Sequence, residues 1–215
     1  MYYYENQAIQ KGFRFVVGID EAGRGPLAGP VVASAVILKE RRFKNKIQDS
    51  KQMTPEERET TFHEIFEKAY IGVGIMNESV IDADNILQAT FHAMNRAVTD
   101  LVSRLPTEVQ RSETFSKDIH LIIDGNRFRS EHPFSYQTVI DGDNLCRSVS
   151  CASIIAKVIR DRILMVYDRI FPQYGFKQHK GYATAGHRQA IKQHGLSLIH
   201  RKTFRMDGDS DERND

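Results

Sequence analysis

The sequence predicts an α/β fold in which helices cover the faces of a central sheet. Four short apolar runs rich in β-branched residues have the length of buried strands, and two long segments repeat apolar residues at the three- and four-residue steps of a helix. Strands come first and then alternate with helices, as expected when helices pack on a sheet. With 215 residues, 40% of them hydrophobic, the chain can form one domain with its own core.

The first third of the chain contains three of the predicted strands and one helix. Residues 14–20 (RFVVGID) and 30–38 (PVVASAVIL) are apolar runs that predict buried strands. Residues 54–57 (TPEE) start a helix, because threonine caps, proline suits the first helical position and the second glutamate completes a capping box. This helix is expected to run to about Lys68, and a strand is predicted at 70–76.

A long helix follows and is expected to end at Pro106, which cannot continue it. Residues 107–118 are polar and predict a surface connection, residues 119–124 (IHLIID) predict a fourth strand, and a fifth is proposed at 136–140. The apolar face of the long helix is formed by Leu87, Phe91, Met94, Val98, Leu101 and Leu105.

Two further helices are predicted in the last third of the chain. The first covers 149–171 and is stopped by Pro172, and the second covers 183–194 and is closed by Gly195. The apolar stripe of the first is expected to comprise Ile155, Ile159, Ile163, Val166 and Ile170.

Bulk composition excludes some classes of protein. No apolar run is long enough to span a bilayer, and residues 1–5 (MYYYE) lack the basic start and apolar stretch of a signal peptide. A cytoplasmic location without membrane contact is therefore expected. Cys146 and Cys151 do not form a C-x-x-C motif and are expected to be reduced, partly buried thiols.

The charges are unevenly distributed along the chain. Residues 206–215 carry five acids against one arginine, a net charge of −4, which leaves +6 on the rest of a chain whose total is +2. We expect this acidic tail to be disordered. A mildly basic body fits a nucleic-acid partner, although many other proteins share this pattern.

Carboxylates stand at the ends of predicted strands. Asp20 and Glu21 end the first strand, Asp124 ends the fourth, and Asp143 follows another β-like run. Neighbouring carboxylates repel each other and are costly to desolvate, and a bound cation is the usual remedy. Oxygen ligands of this kind favour Mg²⁺ or Mn²⁺ over zinc. The alternatives are a solvated strand end for the first pair and Asx turns for the two later aspartates.

A glycine-rich turn, AGRGPLAGP at 22–30, follows the first acidic pair. Gly23, Gly25 and Gly29 do not have G-x-G-x-x-G spacing, and no helix begins after them, which excludes a dinucleotide-binding loop. The glycines are expected to let the backbone approach a ligand closely.

Other polar residues are candidates for contacting a nucleic acid. Lys51 can hold a phosphate as a point charge, and Ser153 and Lys157 share a helix face that can grip a phosphate backbone. Tyr182, in a basic loop, can stack on a sugar or a base. The alternatives are an exposed loop lysine and a solvated helix face on which Lys157 pairs with Asp161. The C-terminal histidines lack an H-E-x-x-H motif and are expected to be scattered surface, capping or substrate-facing residues.

Together these segments resemble the ribonuclease HII family. Residues 18–30 (GIDEAGRGPLAGP) are similar to its signature block, and blocks in family order extend the resemblance from about residue 14 to about 205. The later blocks are 49–51 (DSK), 123–126 (IDGN), 142–143 (GD), 152–157 (ASIIAK) with 160–161 (RD), 171–176 (FPQYGF), 178–184 (QHKGYAT), 194–195 (HG) and 200–201 (HR).

The resemblance implies an RNase H-like fold, with a central mixed sheet, helices on both faces and a small helical C-terminal extension from about residue 172. The catalytic domain would span 1–205, followed by the tail. The implied activity is endonucleolytic cleavage of the RNA strand of RNA–DNA hybrids and cleavage 5′ of single ribonucleotides embedded in duplex DNA. It would leave 3′-hydroxyl and 5′-phosphate ends and serve to remove ribonucleotides from DNA.

The resemblance also implies roles for individual residues. Two Mg²⁺ or Mn²⁺ ions would be held by four acids, and the enzyme is expected to act as a monomer. The turn Gly23, Arg24 and Gly25 corresponds to the family's junction-sensing element, and Tyr182 to its sugar-stacking tyrosine. The acids are Asp20, Glu21, Asp124 and Asp143, and the further expected substrate contacts are Lys51, Ser153 and Lys157.

The chain departs from the family pattern at a few positions. Gln52-Met53-Thr54 replaces the commoner Lys-Leu-Ser, Ser148 stands near a position where some members carry an acid, and Ala183 replaces a common proline. One alternative is ribonuclease HIII, which usually carries an extra N-terminal domain and lacks arginine in the glycine-rich turn. The other is a non-catalytic binder of RNA–DNA junctions, in which some of the four acids would be replaced. Arg24 and the intact acids favour ribonuclease HII over both.

Overall fold

The computed structural model describes residues 1–48 and 50–205. Asp49 and the acidic tail at 206–215 lie outside the described residues, as do the predictions that fall on them. No helix within the described ranges is long and apolar enough to cross a bilayer.

A five-stranded mixed sheet forms the centre of the molecule, as expected. Its order is β3-β2-β1-β4-β5, with β2 antiparallel to β1 and β3, and β4 parallel to β1 and β5. Each predicted strand is present, and the proposed fifth strand is confirmed. Their bounds are Phe15–Ala22 (β1), Val31–Leu38 (β2), Ala69–Met76 (β3), Ile119–Asp124 (β4) and Ser135–Val139 (β5).

Helices cover both faces of this sheet and also extend beyond it. In chain order they are Tyr3–Gln10 (α1), Pro55–Lys68 (α2), Glu78–Ser103 (α3), Thr107–Gln110 (α4), Phe115–Asp118 (α5), Gly142–Leu145 (α6), Arg147–Ile170 (α7), Phe176–His179 (α8) and Ala185–His194 (α9). The predicted capping box of α2 is confirmed, with the Glu57 amide 3.2 Å from Thr54 Oγ1 and the Thr54 amide 2.8 Å from the Glu57 carboxylate.

The two faces of β1 pack against different helices. Val17 and Ile19 face α3, in a core shared with β2 and β4, whereas the alternate residues of β1 face α7. At Gly18 the backbone of α7 comes so close that a Cβ atom would lie 2.2 Å from the carbonyl carbon of Ser148. Only glycine permits this contact, and it sets the start of α7 directly on the strand that ends in the acidic pair.

The structure differs from the sequence-based expectations in several elements. Helix α1 was not predicted, and the connection at 107–118 contains the short helices α4 and α5. Helix α3 begins nine residues before Leu87 and is kinked at Asn85, whose side chain accepts hydrogen bonds from the amides of Leu87 and Gln88. Asn85 therefore caps the segment in which the apolar periodicity was visible.

The predicted stripe of α7 is wrong at its C-terminal end. Val166 and Ile170 are exposed, whereas Leu164 is fully buried. The reason is that the buried surface of α7 changes along its length: its first half lies between the sheet and α2, and its last turns contact the C-terminal segment instead. A single helical stripe cannot describe both environments.

The segment after α7 packs on the glycine-rich turn through a small apolar cluster of its own. This cluster joins Leu27 and Ala28 of the turn to Leu164 of α7 and to Phe176 and Ile191 of the C-terminal segment. Backbone hydrogen bonds reinforce the contact, because the Leu27 amide donates to the Gly181 carbonyl at 2.8 Å. The C-terminal extension therefore helps to shape the turn beside the acidic pair.

Candidate active site

The four predicted acids meet at one edge of the sheet. Parallel pairing of Ile19 with Ile123 sets Asp20 beside Asp124 at the ends of β1 and β4. The Gly142 amide at the start of α6 donates to Asp124 Oδ1 at 2.8 Å, which holds the following residue, Asp143, next to the strand end. Alternating side chains of β1 then direct Asp20 and Glu21 to opposite faces of this edge.

Burial raises the pKa values of three of these carboxylates, and mutual repulsion contributes to this rise. Burial, and next the charges of Glu21 and Asp124, hold the pKa of Asp20 well above its usual range. The pKa of Glu21 is raised by burial, although Arg24 opposes this, and the pKa of Asp124 is raised by burial as well. The cluster thus holds excess negative charge that the protein does not neutralise fully, and a cation would stabilise its ionised form.

Two cationic side chains lie among these acids. Lys51 Nζ is 3.9 Å from Asp143 Oδ2, and its charge opposes the rise that burial causes in the pKa values of Glu21 and Asp124. Arg24 Nη1 is 3.4 Å from Glu21 Oε1. The Lys51 side chain is 80% exposed, so it reaches the acids from the solvent side. Lys51 lies in the short 3-10 helix Ser50–Gln52 and not in a loop, but it is an exposed charge beside the cluster, as expected.

The donor set suits a hard divalent cation, since it consists only of carboxylate oxygens. Within residues 1–48 and 50–205, however, no three His, Cys, Asp or Glu side chains already converge as the ligands of one ion. Several of the oxygens accept local hydrogen bonds instead: Asp20 Oδ1 from the Glu21 amide at 2.7 Å, and Asp143 Oδ1 from Asn144 at 3.2 Å. These local hydrogen bonds hold the two carboxylates at the edge of the sheet.

Ser153 lies behind Asp20 and is not on a solvated face. It is 4% exposed, and its hydroxyl lies 2.9 Å from that of Ser50. Its hydrogen bond to Asp20 opposes the rise that burial causes in the pKa of that carboxyl. The alternative of a solvated helix face is thus wrong for Ser153, because α7 crosses β1 at close range through Gly18. Ser153 can orient the buried carboxylate that it contacts.

Lys157, one turn further along α7, is paired with an acid of its own helix. Its Nζ lies 2.7 Å from Asp161 Oδ1, and burial lowers its pKa while Asp161 opposes that shift. The alternative that Lys157 pairs with Asp161 is confirmed. Both residues line a groove of about 420 Å³ that also reaches Arg58 and Tyr182.

The glycine-rich turn and Tyr182 are neighbours on the surface. A Cβ atom built on Gly25 would lie 3.8 Å from Tyr182 Cε1, and the tyrosine is 47% exposed. Gly23, in contrast, is buried with a φ of +101°, and a Cβ there would collide with the side chain of Arg160. Of the two glycines, only Gly25 faces space that a ligand can enter.

Two buried arginines that sequence reasoning did not single out lie beneath this turn. Arg160 and Arg201 are 1% and 2% exposed, and their guanidinium groups donate to backbone carbonyls of the turn. Arginine is normally a surface residue, so no periodicity rule predicts such burial. Their only sequence signal was their presence in the blocks shared with the family.

A cluster of histidines supports the other side of Tyr182. The Ser197 amide donates to His200 Nδ1 at 2.9 Å, so the His200 proton lies on Nε2 and faces His187 Nε2 at 3.0 Å. His187 Nδ1–H then donates to the Tyr182 carbonyl at 2.9 Å. The C-terminal histidines were expected to be surface, capping or substrate-facing residues, and the surface position is wrong for His187 and His200, which are buried.

This cluster makes stability sensitive to acid. Burial, with the neighbouring His187, lowers the pKa of His200 to about 4. Between about pH 6.5 and 4 the unfolded chain takes up a proton that the folded protein does not accept, so stability is present above this window and is lost as the pH falls through it. We expect the melting temperature to fall between pH 7 and pH 5, and to fall less in His200→Gln. His63→Gln, at an exposed position, is the control; an equal acid sensitivity of His200→Gln and the unaltered protein would contradict this assignment.

A cavity of about 280 Å³ adjoins the acids on the α3 side. Glu21, Arg24 and Asp124 line one wall, and apolar side chains of α3, including Phe91 and Met94, form the opposite wall. The cavity belongs to the same cleft, because its lining includes two of the acids and a residue of the glycine-rich turn. The cleft therefore offers both charged and apolar surface beside the carboxylates.

Comparison with known proteins identifies the family. A family model described as Ribonuclease HII matches residues 17–206. Ribonuclease HII of Acholeplasma laidlawii is 45% identical over 202 residues, covering 94% of this chain and 92% of that protein. The crystal structure of ribonuclease H2 from Pyrococcus horikoshii is similar with a TM-score of 0.66 at 25% identity, covering 89% of this chain and 94% of that one. The structure of Bst-RNase HIII in complex with Mn²⁺ has a TM-score of 0.64 at 19% identity, covering 92% of this chain and 69% of that one. At this identity the similarity shows the fold alone.

These matches confirm the family resemblance and the RNase H-like fold that it implied. The family is one of divalent-metal-dependent nucleases, in agreement with the all-carboxylate cluster at the sheet edge. Ribonuclease HIII and a non-catalytic junction binder are both disfavoured, since the match is to type HII over most of the chain. The chain belongs to the ribonuclease HII family and is a type HII ribonuclease H, a hydrolase that acts on RNA–DNA hybrids.

Proposed function

We propose that this enzyme, besides cutting the RNA strand of hybrids, cuts 5′ of single ribonucleotides embedded in duplex DNA and so serves their removal. Cleavage would leave 3′-hydroxyl and 5′-phosphate ends. The observation that carries this proposal is the position of the acidic cluster, next to an exposed Gly25 and Tyr182 pair that can contact one sugar. A site for a single sugar beside the scissile phosphate is what an isolated ribonucleotide requires.

We further propose that two ions, Mg²⁺ or Mn²⁺, are held by Asp20, Glu21, Asp124 and Asp143. Support comes from the oxygen-only donors, from the raised pKa values of three of these acids, and from the Mn²⁺ found in the related HIII structure. When bound, such ions supply an activated water and stabilise the leaving 3′-oxygen. Ser153, buried against Asp20, would orient this acid rather than bind the substrate directly.

Recognition of RNA against DNA depends on the 2′-hydroxyl, which can donate and accept hydrogen bonds. We propose that backbone groups of the turn Gly23, Arg24 and Gly25 contact this hydroxyl, and that the Tyr182 ring packs on the adjoining deoxyribose. The open space over Gly25 supports this, because no side chain would hinder a sugar there. We also propose that the enzyme acts as a monomer.

Lys51 and Lys157 are proposed to contact phosphates, and Lys51 should contribute more than Lys157 to the salt dependence of substrate binding. We expect Lys51→Ala to lower the slope of log affinity against log salt by about one unit, since each phosphate contact releases counterions. Lys157→Ala should change the slope less, because Asp161 already neutralises that lysine. Titrations of a labelled hybrid at several salt concentrations measure both slopes. An unchanged slope in Lys51→Ala would remove that residue from the proposed interface.

The direct test uses a DNA duplex with one ribonucleotide, incubated with Mg²⁺, with Mn²⁺ or with EDTA. We expect a single cut 5′ of the ribonucleotide, with 3′-hydroxyl and 5′-phosphate ends, and no product in EDTA. A continuous RNA–DNA hybrid in the same buffers controls for general activity, and an all-DNA duplex controls for contaminating nucleases. Cleavage of the hybrid without any cut in the single-ribonucleotide duplex would reject the proposal.

A further inference from the structure

Within the described residues, the hydrogen bonds of the Arg201 guanidinium all go to the glycine-rich turn, and the face of the group lies 4.8 Å from the centre of the Phe204 ring. Its Nη1 donates to the Arg24 carbonyl at 2.8 Å, its Nη2 to the Gly23 carbonyl at 2.5 Å, and its Nε to the Gly29 carbonyl at 3.0 Å. No carboxylate forms a salt bridge with it among the described residues. A buried cation is costly to desolvate, and here the hydrogen bonds that offset this cost are made to carbonyls of the turn, so Arg201 fixes the orientation of these peptides.

Arg160 also donates hydrogen bonds to the glycine-rich turn. Its Nε donates to the Pro30 carbonyl at 3.0 Å, its Nη2 to Ala28 at 3.1 Å, and its Nη1 to the Lys180 carbonyl at 3.1 Å. The last bond links the turn to the loop that carries Tyr182. Glu78, buried at the start of α3, acts on both arginines only through its charge, and one of its oxygens has no hydrogen-bond partner in the described structure.

The direction of the carbonyls fixes the direction of the amides. The chain has no cis peptide bond among the described residues, and in a trans peptide the C=O and the following N–H point in opposite directions. Because Arg201 draws the carbonyls of Gly23 and Arg24 inward, the N–H groups of Arg24 and Gly25 point outward. Both residues are exposed, and no hydrogen bond within the described residues uses these two amides. The charge of the guanidinium also polarises the two peptides and strengthens them as donors.

We propose that Arg201 is a positioning residue for substrate recognition: it turns the Gly23–Arg24 and Arg24–Gly25 peptides so that two successive N–H groups face the ribonucleotide oxygens. Arg160 has the secondary role of joining this turn to the loop of Tyr182. The inference rests on the proposed recognition of an embedded ribonucleotide by the turn. It adds that specificity depends on a residue of the C-terminal extension that does not itself touch the substrate.

The test is Arg201→Lys, which keeps a positive charge but loses the planar fork that spans three carbonyls. Binding is measured in EDTA, where no cleavage proceeds, for a duplex with one ribonucleotide and for the same duplex made only of DNA. We expect the affinity ratio between the two duplexes to fall tenfold or more, with unchanged binding of the DNA duplex. Arg104→Lys, which keeps its exposed contact with Asp100, is the matched control. An unchanged ratio in a folded Arg201→Lys protein would overturn the inference.

A second measurement observes the two amides directly, first in the unaltered protein, which does not depend on the folding of a variant, and then in the free Arg201→Lys protein. Amide signals of Arg24 and Gly25 in ¹⁵N–¹H spectra should shift on addition of the ribonucleotide duplex and much less with the DNA duplex. If the enzyme prefers the ribonucleotide duplex but these amides do not respond, the inference fails while the proposed function stands. If the enzyme cannot distinguish the two duplexes at all, the proposed function fails. In that case, a comparison of the free proteins still tests the role of Arg201. Shifted Arg24 and Gly25 amide signals in Arg201→Lys would support the inference that Arg201 orients the turn, and unchanged signals would overturn this inference.

Discussion

Asp20→Asn should abolish cleavage without unfolding the protein. Asp20 lies buried at the end of β1, and its replacement removes a proposed metal ligand whose electrostatic contribution is several kcal/mol. A loss of at least about a hundredfold in single-turnover rate is expected, because each ~1.4 kcal/mol of lost stabilisation costs a factor of ten. The melting temperature measured in EDTA should be maintained or raised, since the substitution relieves repulsion by Glu21 and Asp124.

Asp124→Asn should lose activity to a similar extent. Its side-chain carbonyl can still accept the hydrogen bond from the Gly142 amide that holds α6, so the fold is expected to survive. Asp118→Asn is the matched control, because Asp118 directly precedes the first residue of β4, away from the acids, and its carboxylate contacts Arg14 and Thr114. Circular dichroism and melting curves accompany the rates. Near-normal cleavage by either Asp20→Asn or Asp124→Asn would remove that acid from the proposed centre.

Tyr182→Ala should impair cleavage of a single embedded ribonucleotide more than cleavage of a continuous hybrid. The ring is proposed to pack on a neighbouring sugar that lacks a 2′-oxygen, a contact that the hybrid does not offer. Loss of stacking costs about 1–3 kcal/mol, so a change of tenfold or more in rate or affinity is expected for the single ribonucleotide. Tyr182→Phe should keep most of the activity, since it retains the ring.

The competing explanation is that Tyr182 only stabilises the C-terminal segment. Its backbone makes the local contacts, with its amide bonded to His179 and its carbonyl to His187, and these survive in the alanine variant. Because the side chain is half exposed, the melting temperature should change little. Tyr136→Ala, at a similarly exposed position, controls for loss of a surface tyrosine. Equal losses on both substrates together with a lower melting temperature would refute the specific role.

Local patterns in the sequence determined most of the secondary structure of this protein. Each strand and the long helices were predictable, because an apolar run or a three- and four-residue step reports the surface that one element buries. The acids were predictable as a group for the same reason, since Asp20 and Asp124 end apolar strands and parallel strand ends share one edge of the sheet. The family resemblance added the order of the blocks and the type of nuclease.

What only the tertiary structure decided is how charged and polar groups are partnered across the fold. Arg160, Arg201 and His200 look like surface residues in the sequence, yet each is buried, because the groups that satisfy them come from distant segments. Ser153 likewise faces inward only because α7 crosses β1 at Gly18. The free energy of burying such a group depends on the hydrogen bonds that it forms in the folded protein. The partners for these bonds come together only when the chain has folded.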